Sequence, residues 1–258
     1  MEPVFRTLEI AVSAAAAVSG SRITFHGLEN IPERGGAVIA INHTSYIDWA
    51  PAALAAYKRH RRLRFMIKQE MTEVPVVNFL IRHTGTIPVD RKAGAGAYAV
   101  AVQRLREGEL VGVYPEATIS RSFELKEFKT GAARMAIDAQ VPIVPLIVWG
   151  AHRRWTKDHP RTLGRAKIPI TVMVGAPIAP AETVAQTDAT MRESMTTMLH
   201  AVQEAYEHPA GAWWVPRRLG GSAPTMEEAR RLDEIELAER ARKRQERQAR
   251  KQRERQAK

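Results

Sequence analysis

The chain has 258 residues, 45% of them hydrophobic, and a formal charge of +11 with no cysteine. Its length and apolar share suffice for one sizeable core and exclude a wholly disordered chain. The missing cysteine excludes disulfides, thiolate metal sites and a covalent cysteine intermediate, and fits a reducing cytoplasm, while the positive charge favours anionic partners: a membrane surface, nucleic acid or phosphorylated substrates.

The first element is a helix from Pro3 to about Gly20. Arg6, Glu9 and Ser13 interrupt its apolar run, so it falls short of a membrane span. Those three share one face, and Val4, Leu8, Ala11, Ala15 and Val18 line another. Two readings follow: a terminal helix packed on the domain, or an interfacial membrane helix. A secretory signal is not indicated, because the basic start and cleavage signature are missing.

From residue 22 to about 207, short β-branched runs alternate with helical patterns. Strands are expected at Arg22 to His26, Ala37 to Ile41, Leu63 to Ile67, Thr86 to Val89, Leu110 to Tyr114, Ile143 to Val148 and Ile168 to Val174. Helices are expected at Trp49 to Lys58, Val76 to Arg82, Ala95 to Arg106, Thr130 to Ala139 and Glu182 to Glu207. This alternation predicts a single α/β domain with a central, mostly parallel or mixed sheet flanked by helices.

Pro209 to Pro224 is rich in glycine and proline and reads as an irregular linker. Met226 to Lys258 favours helix, with Glu227, Glu228, Asp233, Glu234 and Glu236 near its start. Its end is basic: from Arg240 onward, ten Lys/Arg face only Glu246 and Glu254. That polarity suits a helix dipole, and the scarcity of apolar residues after Leu237 predicts a solvated or partner-bound helix. The expected organisation is therefore an N-terminal interface helix (1–21), a domain (22–208), a linker (209–225) and a charged helical tail (226–258).

Ligands of such sheets sit at the carboxyl ends of strands. Asn42-His43 and Pro115-Glu116 both fall there. On one regular helix His43 and Asp48 would point about 140° apart, so they meet only if the chain turns between them. Pro51, tolerated only in a first helical turn, puts the helix start near Asp48 and leaves His43 in the preceding loop. If the pair meets, Asp48 orients the imidazole and His43 takes a proton from a substrate hydroxyl. The structural alternative makes Asp48 a helix cap, or the acid of a capping box with Ser45. Thr44 and Ser45 lack the elbow expected of a nucleophile. Zinc-ligand spacing and glycine-rich phosphate loops are not evident.

Four blocks, Asn42-His43-x-x-x-x-Asp48, Gly85-Thr86-Ile87-Pro88-Val89-Asp90-Arg91, Tyr114-Pro115-Glu116-Ala117-Thr118 and Val141-Pro142-Ile143-Val144-Pro145, resemble in order and spacing those of the glycerolipid acyltransferases. The closest group is the 1-acyl-sn-glycerol-3-phosphate (lysophosphatidic acid) acyltransferases. The resemblance implies that His43 is the general base for the acceptor's sn-2 hydroxyl and that Asp48 orients it. It also implies that Arg91, Glu116 and Thr118 bind the acceptor's phosphate and glycerol region, with Lys68 and Lys129 as further basic positions. The fourth block would form a wall of the acyl site.

The third block departs from the family's Phe-Pro-Glu-Gly-Thr-Arg, with Ala117 for the glycine and Ile119 for the arginine. Either Arg121 supplies the missing charge, or the acceptor is not ordinary lysophosphatidate bound in the usual way. The resemblance implies an acyl-CoA or acyl carrier protein thioester as co-substrate, no cofactor and no metal. It further implies a peripheral or monotopic enzyme on the cytoplasmic face of a membrane. Phe5, Leu8, Val12, Trp213, Trp214, Arg217 and Arg218 are then candidate contacts with an anionic lipid surface. Nucleic acid is not expected as a partner, and the oligomeric state stays open. The alternatives are another lysophospholipid or phosphorylated glycolipid as acceptor, or a non-catalytic protein that binds membrane or nucleic acid through its tail.

Overall fold

The computed structural model describes residues 3–90, 95–162 and 164–256. They form two compact units, the first running to Ser120 and again from Leu125 to His208, the second joining Arg121–Glu124 to the segment from Pro209 onward.

The first unit contains α1 (Pro3–Val18), β1 (Ile23–His26), β2 (Ala37–Ile41), α2 (Trp49–Lys58), β3 (Leu63–Lys68), α3 (Pro75–Thr84) and β4 (Ile87–Val89). It continues with α4 (Ala95–Arg106), β5 (Leu110–Val113), α5 (Gly131–Ala139), β6 (Ile143–Trp149), β7 (Ile170–Val174) and α6 (Val184–Ala205). The seven strands form one sheet in the order β1-β7-β6-β2-β5-β3-β4. Every neighbouring pair is parallel except β6 and β7, so the sheet is mixed and the α/β expectation holds.

β2 and β6 are buried along their whole lengths. That explains why they read as unbroken apolar runs rather than alternating ones. Ile39, Ile41, Leu63, Leu110, Val144, Leu146 and Val172 share one core with the inward residues Ala52, Ala55 and Ala56 of α2. Small alanines on that helix face let it lie close to the sheet, which brings the start of α2 and the end of β2 together.

α1 corrects part of its expected face. Phe5 is buried and Leu8, Val12 and Ala16 are half-buried, whereas Ala11, Ala15 and Val18 are exposed. The packed stripe advances by three or four residues each turn, and Phe5 meets the guanidinium groups of Arg62 and Arg64 at 5.4 and 5.2 Å from its ring centre. Phe5, Leu8 and Val12 therefore belong to the packed side, not to a surface offered to lipid. Beyond the helix, Arg154 donates to the Ser19 carbonyl (2.7 Å) and the Ser21 hydroxyl (3.0 Å) and ties its end to the domain.

In the second unit, the segment from Pro209 to Thr225 lacks long regular elements but is held by its own backbone bonds, including Gly211 N–H to Gly220 O (2.8 Å) and Ala223 N–H to Val215 O (3.2 Å). Trp214 and Val215 are buried, so Trp214 is not a surface contact. Helix α7 (Met226–Gln256) opens on a reciprocal cap: Glu228 N–H donates to Thr225 Oγ1 (3.1 Å) and Thr225 N–H to Glu228 Oε2 (2.7 Å). From Leu237 to Glu246 its residues are exposed. Among the described residues no helix is long and apolar enough to cross a membrane.

Candidate active site

The site follows from strand register. β2 and β5 are parallel neighbours with Ala40 beside Val113. Three residues beyond each stand His43 and Glu116, and the His43 amide donates to Glu116 Oε1 at 2.8 Å. The same junction is closed from the other side, because Ser120 N–H donates to the His43 carbonyl at 2.7 Å. Asn42, fully buried, holds the β6 edge: its amide donates to Val148 O (3.1 Å) and accepts from Val148 N–H (2.7 Å). The backbone around His43 is thus gripped by the loop after β5 and by β6.

Between His43 and the start of α2 the chain turns, as the dyad requires. His43 Nδ1–H donates to Asp48 Oδ2 at 3.3 Å, and the same oxygen accepts Thr44 N–H (2.8 Å) and Ser45 N–H (2.7 Å). Asp48 makes no side-chain cap to its own helix. Its bond to the Ser45 amide is half of a capping box; the Ser45 hydroxyl donates instead to Trp155 O (2.6 Å). One oxygen of Asp48 thus meets both the imidazole and the Ser45 amide.

Asp48 is 0% exposed, and its Oδ1 has no hydrogen-bond partner among the described residues. Burial raises its pKa, against the lowering effects of His43 and the two amides. With Nδ1 turned to Asp48, Nε2 is the nitrogen left for a substrate proton. The imidazole, 19% exposed, stacks on Tyr114 with centroids 4.0 Å apart. Burial, with Asp48 nearby, holds the Tyr114 phenol un-ionised far above its usual range.

Glu116 is buried, and burial pushes its pKa up to about 7 although its carboxylate accepts two amides, Lys126 N–H at Oε2 (3.0 Å) and His43 N–H at Oε1. Thr118 follows, its hydroxyl accepting the Lys126 ammonium at 2.6 Å. Ala117 takes the left-handed conformation, φ 58°. The turn that favours glycine is therefore kept with a residue that strains to adopt it. The amides of Ala117, Thr118 and Ser120 donate to the carbonyls of Tyr114, Glu116 and His43.

His43, Asp48, Glu116 and Thr118 are thus brought together. Lys68 ends β3, beside β5 in the sheet, and is half-buried. The Lys129 amide donates to Pro115 O at 2.9 Å while its side chain is exposed. Arg91 lies outside the described residues. Arg121 is buried and its guanidinium is held by Asp233 and by Glu236 Oε2 (2.9 Å), so its charge is already matched by two carboxylates. Lys126 and Tyr114 are the site residues the sequence reading passes over. Tyr114 stands inside a recognised block, but stacking leaves no trace in a sequence, and Lys126 sits in a charged loop with no motif of its own.

A family model described as Acyltransferase matches residues 22–149. A relative from Borreliella burgdorferi named 1-acyl-sn-glycerol-3-phosphate acyltransferase is 26% identical over 157 residues, covering 60% of this chain and 62% of the relative, so the match spans under two thirds of that protein's length. One of the same name from Pseudomonas aeruginosa is 28% identical over 213 residues, covering 77% and 78%. The crystal structure of the 1-acyl-sn-glycerophosphate acyltransferase of Thermotoga maritima superposes with a TM-score of 0.68 at 20% identity, over 79% of this chain and 81% of that one, a likeness of fold.

Proposed function

The chain belongs to the glycerolipid acyltransferases, and from that premise we propose that it transfers an acyl chain from a thioester to the free sn-2 hydroxyl of lysophosphatidate, giving phosphatidate. The observation that carries this reading is the His43–Asp48 pair at the end of β2, gripped through its backbone by Glu116. His43 Nε2 takes the hydroxyl proton as the oxygen attacks the thioester carbonyl. The tetrahedral intermediate collapses, the carbon–sulfur bond breaks, and the imidazolium returns its proton to the leaving thiolate. Asp48 stabilises that imidazolium. No covalent enzyme intermediate and no cofactor beyond the thioester co-substrate enter this scheme.

Lipid substrates call for access to a membrane. In support, Met71, Val74, Val76 and Phe79, on α3 and the turn before it, are exposed, Val76 to 70%. The reading is of a peripheral protein that meets the lipid surface with this apolar patch, on the cytoplasmic side, where a chain without cysteine is at home.

The test is to incubate the protein with lysophosphatidate and either acyl-CoA or acyl carrier protein thioester, following product mass and released thiol. Wild type is expected to form phosphatidate, and His43→Ala to lose about 10²–10⁴ of the rate with its melting temperature retained. No product from any donor, or an active folded variant, overturns the reading.

A further inference from the structure

We infer that Lys126 supplies the cation that receives the acceptor's phosphate, with the Thr118 hydroxyl as its partner. This rests on the proposed phosphorylated acceptor. A phosphate monoester near the dyad needs a fixed positive charge. Position 119 offers none, being an isoleucine 4% exposed. Arg121 is engaged by Asp233 and Glu236, and the Lys129 side chain is exposed.

Lys126 is placed differently. Its ammonium lies 2.6 Å from Thr118 Oγ1. Its own amide donates to Glu116 Oε2, the carboxylate whose other oxygen holds His43. Its carbonyl accepts Arg192 NH1 at 2.6 Å, and that guanidinium also lies over the Phe128 ring. The backbone is therefore pinned at both ends, and the side chain brings an ammonium and a hydroxyl side by side within the network that positions His43. An ammonium with three protons beside a hydroxyl that donates one suits the several acceptor oxygens of a phosphate. Lys126 would act on specificity rather than chemistry, because it binds the phosphate and not the hydroxyl that reacts.

The full-length protein is compared with Lys126→Met and Lys126→Arg, each checked for an unchanged melting temperature. Two measurements are made: binding of glycerol 3-phosphate by calorimetry, and initial rates with lysophosphatidate and with monoacylglycerol of the same chain. The methionine variant is expected to weaken glycerol 3-phosphate binding at least tenfold. It should raise KM for lysophosphatidate by a similar factor with kcat within threefold, and leave monoacylglycerol kinetics within twofold; arginine should restore most of the loss. Unchanged glycerol 3-phosphate binding in Lys126→Met, or equal losses on both acceptors, overturns the inference. If wild type makes no phosphatidate yet binds glycerol 3-phosphate through Lys126, the parent reading fails while the anion site stands.

Discussion

Glu116 does two jobs with one carboxylate. Each oxygen accepts one amide, from His43 and from Lys126, so the charged form is the one that grips the site. Burial nonetheless raises its pKa to about 7. A carboxyl with a raised folded pKa adds most stability below its unfolded value and loses that contribution as pH rises through the folded one. Between about pH 4.5 and 7, wild type should thus lose about 3 kcal/mol relative to Glu116→Gln, which cannot titrate. Urea unfolding at pH 5, 6, 7 and 8 measures this, and parallel pH profiles for the two proteins would contradict it. Asp48 is raised by the same cause, and its charge adds to the rise at Glu116. Ala117 belongs at this scale too: its φ of 58° retains the turn that aims Glu116 and Thr118, although the side chain is the wrong one for it.

Among the elements, β2, α2 and α4 begin and end at the residues expected from the sequence, and most others differ by one or two. Burial of both faces makes β2 and β6 unmistakable apolar runs, and Pro51 marks the start of α2. The face of α1 was less legible, because a helix of alanines presents nearly equivalent stripes and only packing chooses between them. Its attachment depends on Arg154, which donates to Ser19 O, Ser21 Oγ and, at 2.7 Å, Gly164 O. Arg154→Ala should cost about 3 kcal/mol, since several carbonyls lose a charged donor. It should also speed trypsin cleavage after Arg22. Urea denaturation and a timed digest check both, and unchanged curves would show that α1 is held by Phe5 and its apolar neighbours alone.

For the molecule as a whole, charge is distributed by function of position. The segment from Arg240 onward carries ten Lys/Arg against two glutamates, while α7 nearer its start uses Asp233 and Glu236 to bind Arg121. A chain ending at Glu239 keeps those two carboxylates and removes the basic end. Its binding to vesicles with anionic lipid should weaken by at least about tenfold at low salt, and the difference should vanish near about 0.5 M salt. Turnover of soluble short-chain substrates should stay within twofold. Sedimentation with vesicles and a thiol-release assay separate the two effects. Loss of turnover in step with binding would favour a tail that serves the chemistry rather than the surface.

By itself the sequence determined the alternation of strands and helices, the loop position of His43, the helix start beside Asp48 and the family blocks, because each depends on neighbours close along the chain. Periodicity, proline placement and strand-end positions are local properties and survive in a string of letters. Only the tertiary structure decided that His43 lies beside Glu116, since that depends on the register of β2 against β5 across 73 residues. It alone paired Arg121 with Asp233 and Glu236 and put the Lys126 ammonium on Thr118. Side-chain charge is visible in sequence, but its partner is chosen by packing between distant segments, and that choice separates a neutralised arginine from a lysine set beside the site.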